Sequence, residues 1–165
     1  MIEFRESTVL APSLILNHGA TVALAFPSGG VLMIVSDRMT KNPVTISPED
    51  TLVSAQEKMR AGGFRQIPVL DKERLVGIIT DRDIRRHGRH NIVARVQSVM
   101  TEGVISITPE IPIEEAARIL LEHKIGGLPV VENEQLVGII STTDILRAFV
   151  DLLASTRGNA SPSGI

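Results

Sequence analysis

Leu75-Val76-Gly77-Ile78-Ile79-Thr80-Asp81-Arg82-Asp83-Ile84 returns, 61 positions further on, as Leu136-Val137-Gly138-Ile139-Ile140-Ser141-Thr142-Thr143-Asp144-Ile145. The shift holds without a gap back to Met39. Met39-Thr40 falls on Met100-Thr101, Ile46-Ser47-Pro48-Glu49 on Ile107-Thr108-Pro109-Glu110, and Ile67-Pro68-Val69 on Leu128-Pro129-Val130. Roughly a third of the aligned positions are identical and most others keep their polarity, as expected of one structural unit used twice.

Each copy reads as strand, helix, strand, strand, helix. Val44-Thr45-Ile46 and Val104-Ile105-Ser106-Ile107 are short β-branched runs suited to a strand. Ser47-Pro48-Glu49-Asp50 and Thr108-Pro109-Glu110 carry hydroxyl, proline and acid in the order of a helix start. Leu52, Ala55 and Met59, and in the second copy Ile113, Ala116, Ala117, Leu120 and Leu121, have helical spacing. Gly62-Gly63 suits the left-handed end of the first helix. Two further strands, residues 66–70 and 75–80, flank the polar loop Asp71-Lys72-Glu73-Arg74. Residues 128–131 and 136–141 do the same around Glu132-Asn133-Glu134-Gln135. The closing helix of the second copy places Ile145, Leu146, Phe149, Val150 and Leu153 on an apolar face.

Composition limits what such a chain can do. Its 165 residues include 43% apolar side chains but only 2% aromatic ones, so the core is aliphatic and base stacking on aromatic platforms is disfavoured. A net charge of −2 argues against tracking a nucleic-acid backbone. With no cysteine there is no disulfide, thiolate metal site or thiol nucleophile. Residues 9–35 are apolar in places but are interrupted by Pro12, Asn17-His18-Gly19 and Pro27-Ser28-Gly29-Gly30, too often for a membrane span or a secretory leader. The expected setting is the cytoplasm, without membrane insertion. No phosphate-loop, Gly-x-Gly-x-x-Gly or Gly-x-Ser-x-Gly motif occurs, and no enzyme is expected.

The doubled pattern of Met-Thr, hydrophobic-Pro-Val and Leu-Val-Gly-Ile-Ile-[Thr/Ser]-x-x-Asp over residues 34–153 closely resembles the CBS domain. The resemblance implies an α+β fold of two βαββα repeats related by a pseudo-twofold axis, with sheets packed together and helices outside. It implies two clefts that hold nucleotides such as AMP, ATP or S-adenosylmethionine, and pairing of the module into a flat homodimer. The organisation expected is a non-domain extension over residues 1–32, appended or wrongly assigned, then repeats at 33–90 and 91–153 and a disordered tail at 154–165.

By that resemblance Asp83 and Asp144 receive the two ribose hydroxyls, with Thr80 and Ser141 assisting. A carboxylate is an acceptor-only group matched to a vicinal diol. The same four residues also fit a capping box that satisfies the first amides of the closing helix. Both readings stand, and they are compatible, because a helix start also suits an anion. Arg65, just before Gln66-Ile67-Pro68, is the leading phosphate ligand by its planar donors, followed by Arg82 and Arg85. The second copy has Gly126-Gly127 there, so the two clefts are expected to be unequal. The adenine walls implied are Val44, Ile46, Ile67 and Pro68, and in the other repeat Ile105, Ile107, Leu128 and Pro129; the same residues read equally as core. The remaining basic residues around the linker read mostly as a solvated face, and His87-Gly88-Arg89-His90 is a poor metal site.

The expected function is a regulatory module sensing an adenosine nucleotide and signalling to a separate partner protein in trans, with no metal or catalytic cofactor. A structural dimerisation module with empty clefts is the alternative.

Overall fold

The computed structural model describes residues 33–87 and 94–158, with a short antiparallel pair at β1 (Ser13–Ile15) and β2 (Thr21–Ala23). Most of the expected N-terminal extension, and residues 159–165 of the expected tail, lie outside the described residues. The elements that follow are β3 (Thr40–Lys41), α1 (Leu52–Gly62), β4 (Gln66–Asp71), β5 (Arg74–Thr80) and α2 (Asp81–His87). Their counterparts are β6 (Thr101–Glu102), α3 (Ile113–Glu122), β7 (Gly127–Glu132), β8 (Gln135–Ser141) and α4 (Thr142–Gly158). The architecture is α+β, with two three-stranded sheets ordered β4-β5-β6 and β3-β8-β7.

Those orders reveal an exchange. β6, which opens the second repeat, pairs with β5 of the first, and β3, which opens the first, pairs with β8 of the second. The short helical turns before them are exchanged too. Val35, from the turn Val35–Asp37, is buried with Ile107, Ile111, Ile119, Leu128 and Ile140. Val96, from Val96–Ser98, is buried with Ile46, Leu52, Ile67 and Ile79. Each repeat therefore lends an arm, residues 33–41 or 94–102, to the core of the other. In space the boundaries differ from the linear 33–90 and 91–153.

The exchange explains two invariances of the repeat. A Cβ added at Gly77 would stand 2.6 Å from Met100 Sδ, and one at Gly138 would overlap Met39 Sδ. The methionine of each Met-Thr arm thus lies on the glycine of the strand that receives it. Neither glycine is needed for its torsion freedom; each is needed for the space it leaves.

The arms also shift the helix starts. Ser47–Asp50 forms a turn, and α1 begins at Leu52 under a Thr51 cap whose hydroxyl accepts from Ser54 N at 3.2 Å. The carbonyls of Pro48 and Asp50, which would serve a helix starting at Pro48, accept from Gln97 N (3.0 Å) and Val96 N (2.8 Å). Leu52 N donates to Ala94 O (3.0 Å). In the second repeat Pro109 O and Ile111 O accept from Ser36 N and Val35 N, both at 2.9 Å, and Ile113 N donates to Met33 O. Backbone groups already committed to a neighbour are not free to begin a helix.

The expected first strands are reduced to single ladder positions, Ile46 beside Val69 and Ile107 beside Val130, because only these residues bond across. α1 ends as expected, on Gly63 at φ +68°. α4 runs to Gly158, past Leu153 where the repeat was expected to stop and into the stretch expected to be disordered.

Each hairpin turns on two residues, Lys72-Glu73 and Asn133-Glu134, all four at positive φ. Such turns favour Gly at the second position, and a side chain there costs about 1 kcal/mol. Glu73→Gly should therefore raise the melting temperature by about 2–4 °C. Differential scanning calorimetry checks it, and a lowered midpoint counts against the strain.

Candidate functional site

Both [Thr/Ser]-x-x-Asp motifs sit where a strand becomes a helix, β5 into α2 and β8 into α4. Thr80 N and Thr80 Oγ1 donate to Asp83 Oδ2 at 2.9 and 2.6 Å, and Asp83 N donates back to Thr80 Oγ1 at 3.3 Å. Ser141 and Asp144 repeat the arrangement at 2.9, 2.6 and 3.4 Å. This is a reciprocal capping box with the acid as the shorter Asp. It engages one carboxylate oxygen of each aspartate and fixes its orientation. Asp83 Oδ1 makes no hydrogen bond or ion pair among the described residues, and Asp144 Oδ1 faces Arg147 Nη1 at 3.7 Å. Arg86 occupies the same place after Asp83 that Arg147 occupies after Asp144.

The strands that contain the hydrophobic-Pro pairs, β4 and β7, bring further candidates beside the capping boxes. Gln66 is directly opposite Thr80, and Gly127 opposite Ser141. Arg65 O accepts from Asp81 N at 2.8 Å, and Gly126 O from Thr142 N at 3.1 Å, so the backbone of Arg65 adjoins the first capping box. The Arg65 side chain is exposed, as are those of Arg82 and Arg85. Arg85 pairs with Asp81 at 3.1 Å, one turn earlier on α2. The two halves meet along a seam where β5 packs against β8 and Gln66 Nε2 donates to Gly126 O at 3.4 Å.

The proposed adenine walls divide in two. Ile46, Ile67, Pro68, Ile107, Leu128 and Pro129 are buried, all but the prolines counted in the two aliphatic cores. Ile105 is half-buried and Val44 is exposed. Two open surface grooves, of about 450 and 390 Å³, lie on the second repeat and share Pro109, Glu110 and Glu132. Neither is lined by a capping-box residue, and both carry Glu110 and Glu132, carboxylates that disfavour a phosphate-bearing ligand, so the seam is the better candidate. Among the described residues no cluster of three or more His, Asp or Glu is placed to hold a metal ion. No described helix is long and apolar enough to cross a membrane.

Sequence reasoning missed Gln66 and Arg147. Gln66 stood in the pair of residues singled out, and its counterpart Gly127 was the available signal. Arg147 lies three residues after Asp144 on α4, a spacing that brings side chains together.

These features define a tandem-repeat module in which each repeat's hairpin leads into a helix through an aspartate capping box. The chain belongs to the CBS-domain family: the CBS domain pattern matches residues 35–90 and again 96–151. CBS domain-containing protein YhcV of Bacillus subtilis is 34% identical over 115 residues, covering 67% of this chain and 81% of that protein. Inosine-5'-monophosphate dehydrogenase of Korarchaeum cryptofilum is 37% identical over 106 residues, 64% of this chain; the chain spans only 22% of that enzyme's length. Among solved structures, the CBS domain pair of protein MJ0100 in complex with 5-methylthioadenosine and S-adenosyl-L-methionine aligns with a TM-score of 0.70 at 28% identity. The alignment covers 74% of this chain and 99% of that one. CBSX2 in complex with AMP aligns with a TM-score of 0.64 at 27% identity, covering 73% and 98%.

Proposed function

We propose that the chain is a regulatory module that takes an adenosine nucleotide, AMP- or ATP-like or S-adenosylmethionine, at the seam between its repeats and signals the occupancy to a separate partner protein. The observation that carries this is the Asp83 carboxylate, with one oxygen fixed by Thr80 and the other open among the described residues. A carboxylate held this way receives a ribose diol without reorganising. Arg65, Arg82 and Arg85 stand close by in sequence or through the backbone as phosphate ligands, and the inner edges of the two cores form the apolar walls. Related CBS pairs solved with AMP or with S-adenosylmethionine support the ligand class. Binding would shift the relative placement of the repeats by differential affinity, which is the change a partner reads.

A ligand specific for the folded state at 100 times its dissociation constant adds about 2.7 kcal/mol, or about 5–10 °C in melting temperature. AMP, ATP, NAD and S-adenosylmethionine at millimolar concentration should be compared by thermal shift. At least one of the three adenosine ligands named above should raise the midpoint, and no shift from any of them sinks the reading.

One observation favours dimerisation as a second reading. Leu146, Phe149, Val150, Leu152 and Leu153 of α4 are 43–62% exposed, and Leu121 of the adjacent α3 is 77% exposed. Together they leave on the order of 600 Å² of apolar surface, large for a monomer. Two copies joined on it about a twofold axis would bury about 1,200 Å², enough for a specific dimer. Leu146 and Leu121 align with Arg85 and Arg60, so the first repeat does not share the patch. Light scattering should show a dimer that Phe149→Glu converts to a monomer; a monomeric parent protein removes this reading.

A further inference from the structure

We infer that Gln66 closes the Ser141–Asp144 half of the seam, so that the chain takes one nucleotide, on the Thr80–Asp83 half. This rests on the nucleotide reading above and specifies it. In the 61-residue shift Gln66 and Gly127 are equivalent positions. Residues directly opposed on neighbouring strands point to the same face, so the Gln66 side chain shares its face with Thr80, and the bare face of Gly127 adjoins Ser141. Gln66 reaches across the seam onto that bare face: a Cβ added at Gly127 would overlap its amide, and Nε2 donates to Gly126 O at 3.4 Å. The reverse reach does not exist, because Gly127 has no side chain to send over Thr80. One half is therefore covered by a residue from the other repeat, and the covering is one-way.

Arg147 faces Asp144 Oδ1 at 3.7 Å and Arg86 holds the same place after Asp83, so the asymmetry rests on Gln66 and Gly127. Gln66 and Gly127 form a matched pair in which the amide fills the volume that a ribose beside Ser141 needs.

The cover can be removed without leaving a buried group unpaired. Gly126 O also accepts from Thr142 N at 3.1 Å and Thr142 Oγ1 at 3.4 Å, which satisfies its two lone pairs after Gln66 leaves. Titration calorimetry with AMP, ATP and S-adenosylmethionine, each separately, counts ligands per chain at saturation. The parent protein should bind one equivalent and Gln66→Gly two. Gln66→Ala, which keeps a better strand former, should also bind two, and adding Asp144→Ala to either variant should return the count to one. Two equivalents on the parent protein, or one on both Gln66 variants, overturns the inference and leaves the nucleotide reading intact. A count of zero for every protein overturns both.

Discussion

Truncating Val35 to alanine should destabilise the second repeat, although Val35 opens the first. The side chain is fully buried among Ile107, Ile111, Leu128 and Ile140. Losing two methyl groups there costs about 2 kcal/mol in transfer and residual cavity. Val96→Ala should cost about as much in the opposite half, where Val96 is fully buried with Leu52, Ile67 and Ile79. Native-state hydrogen exchange separates the two, because sub-global openings report the cooperative unit to which an amide belongs. In Val35→Ala, protection should fall in β7 and β8 before β4 and β5, and in Val96→Ala the order should reverse. Loss confined to β4 and β5 in Val35→Ala would contradict the exchange of arms.

Asp83→Ala should lower nucleotide affinity by one to two orders of magnitude. Hydrogen bonds to a charged acceptor contribute about 1.5–3 kcal/mol, which corresponds to a 10- to 150-fold change in dissociation constant. The substitution also removes half of a capping box, so the ligand-free protein should lose about 1 kcal/mol of stability. Two measurements separate the roles: the melting temperature without ligand reports the cap, and calorimetric titration with AMP reports the ribose contact. A lowered midpoint with unchanged AMP affinity would mean that Thr80-Asp81-Arg82-Asp83 is a helix start and nothing more. Asp83→Asn should fall between, keeping an acceptor oxygen while losing the charge.

Much of the fold was legible in the sequence because the same signals occur twice. The strand pairs around residues 71–74 and 132–135, the glycine end of α1 and the polarity of the repeats follow from local pattern. The partners of Val35, Met39, Val96 and Met100 are not legible in it. The contacts of these arms lie far along the chain, and a β-branched or sulfur-containing side chain looks the same whichever core receives it. For the same reason the turns at Ser47 and Thr108 look locally like helix starts, since nothing local shows that their carbonyls are already bonded to an arm. The capping boxes are legible in [Thr/Ser]-x-x-Asp beside the ligand reading, with which they are compatible, and the structure contains them in full. Unequal halves are an expectation from Arg65-Gln66 against Gly126-Gly127, which rests on the charge of Arg65. Gln66 proves to be the residue that crosses between repeats, a distinction of side-chain direction that sequence spacing does not carry.

The exchanged arms make this chain the covalent equivalent of a domain-swapped dimer. A single copy of the repeat that kept this arrangement would place Val96 and Met100 in a second copy, and two such units would associate by mutual swapping. The connection between the repeats turns that encounter into an intramolecular one, at an effective concentration of the order of millimolar for a short linker. The duplication thus does more than double a binding surface. It makes an assembly that would otherwise depend on protein concentration independent of it.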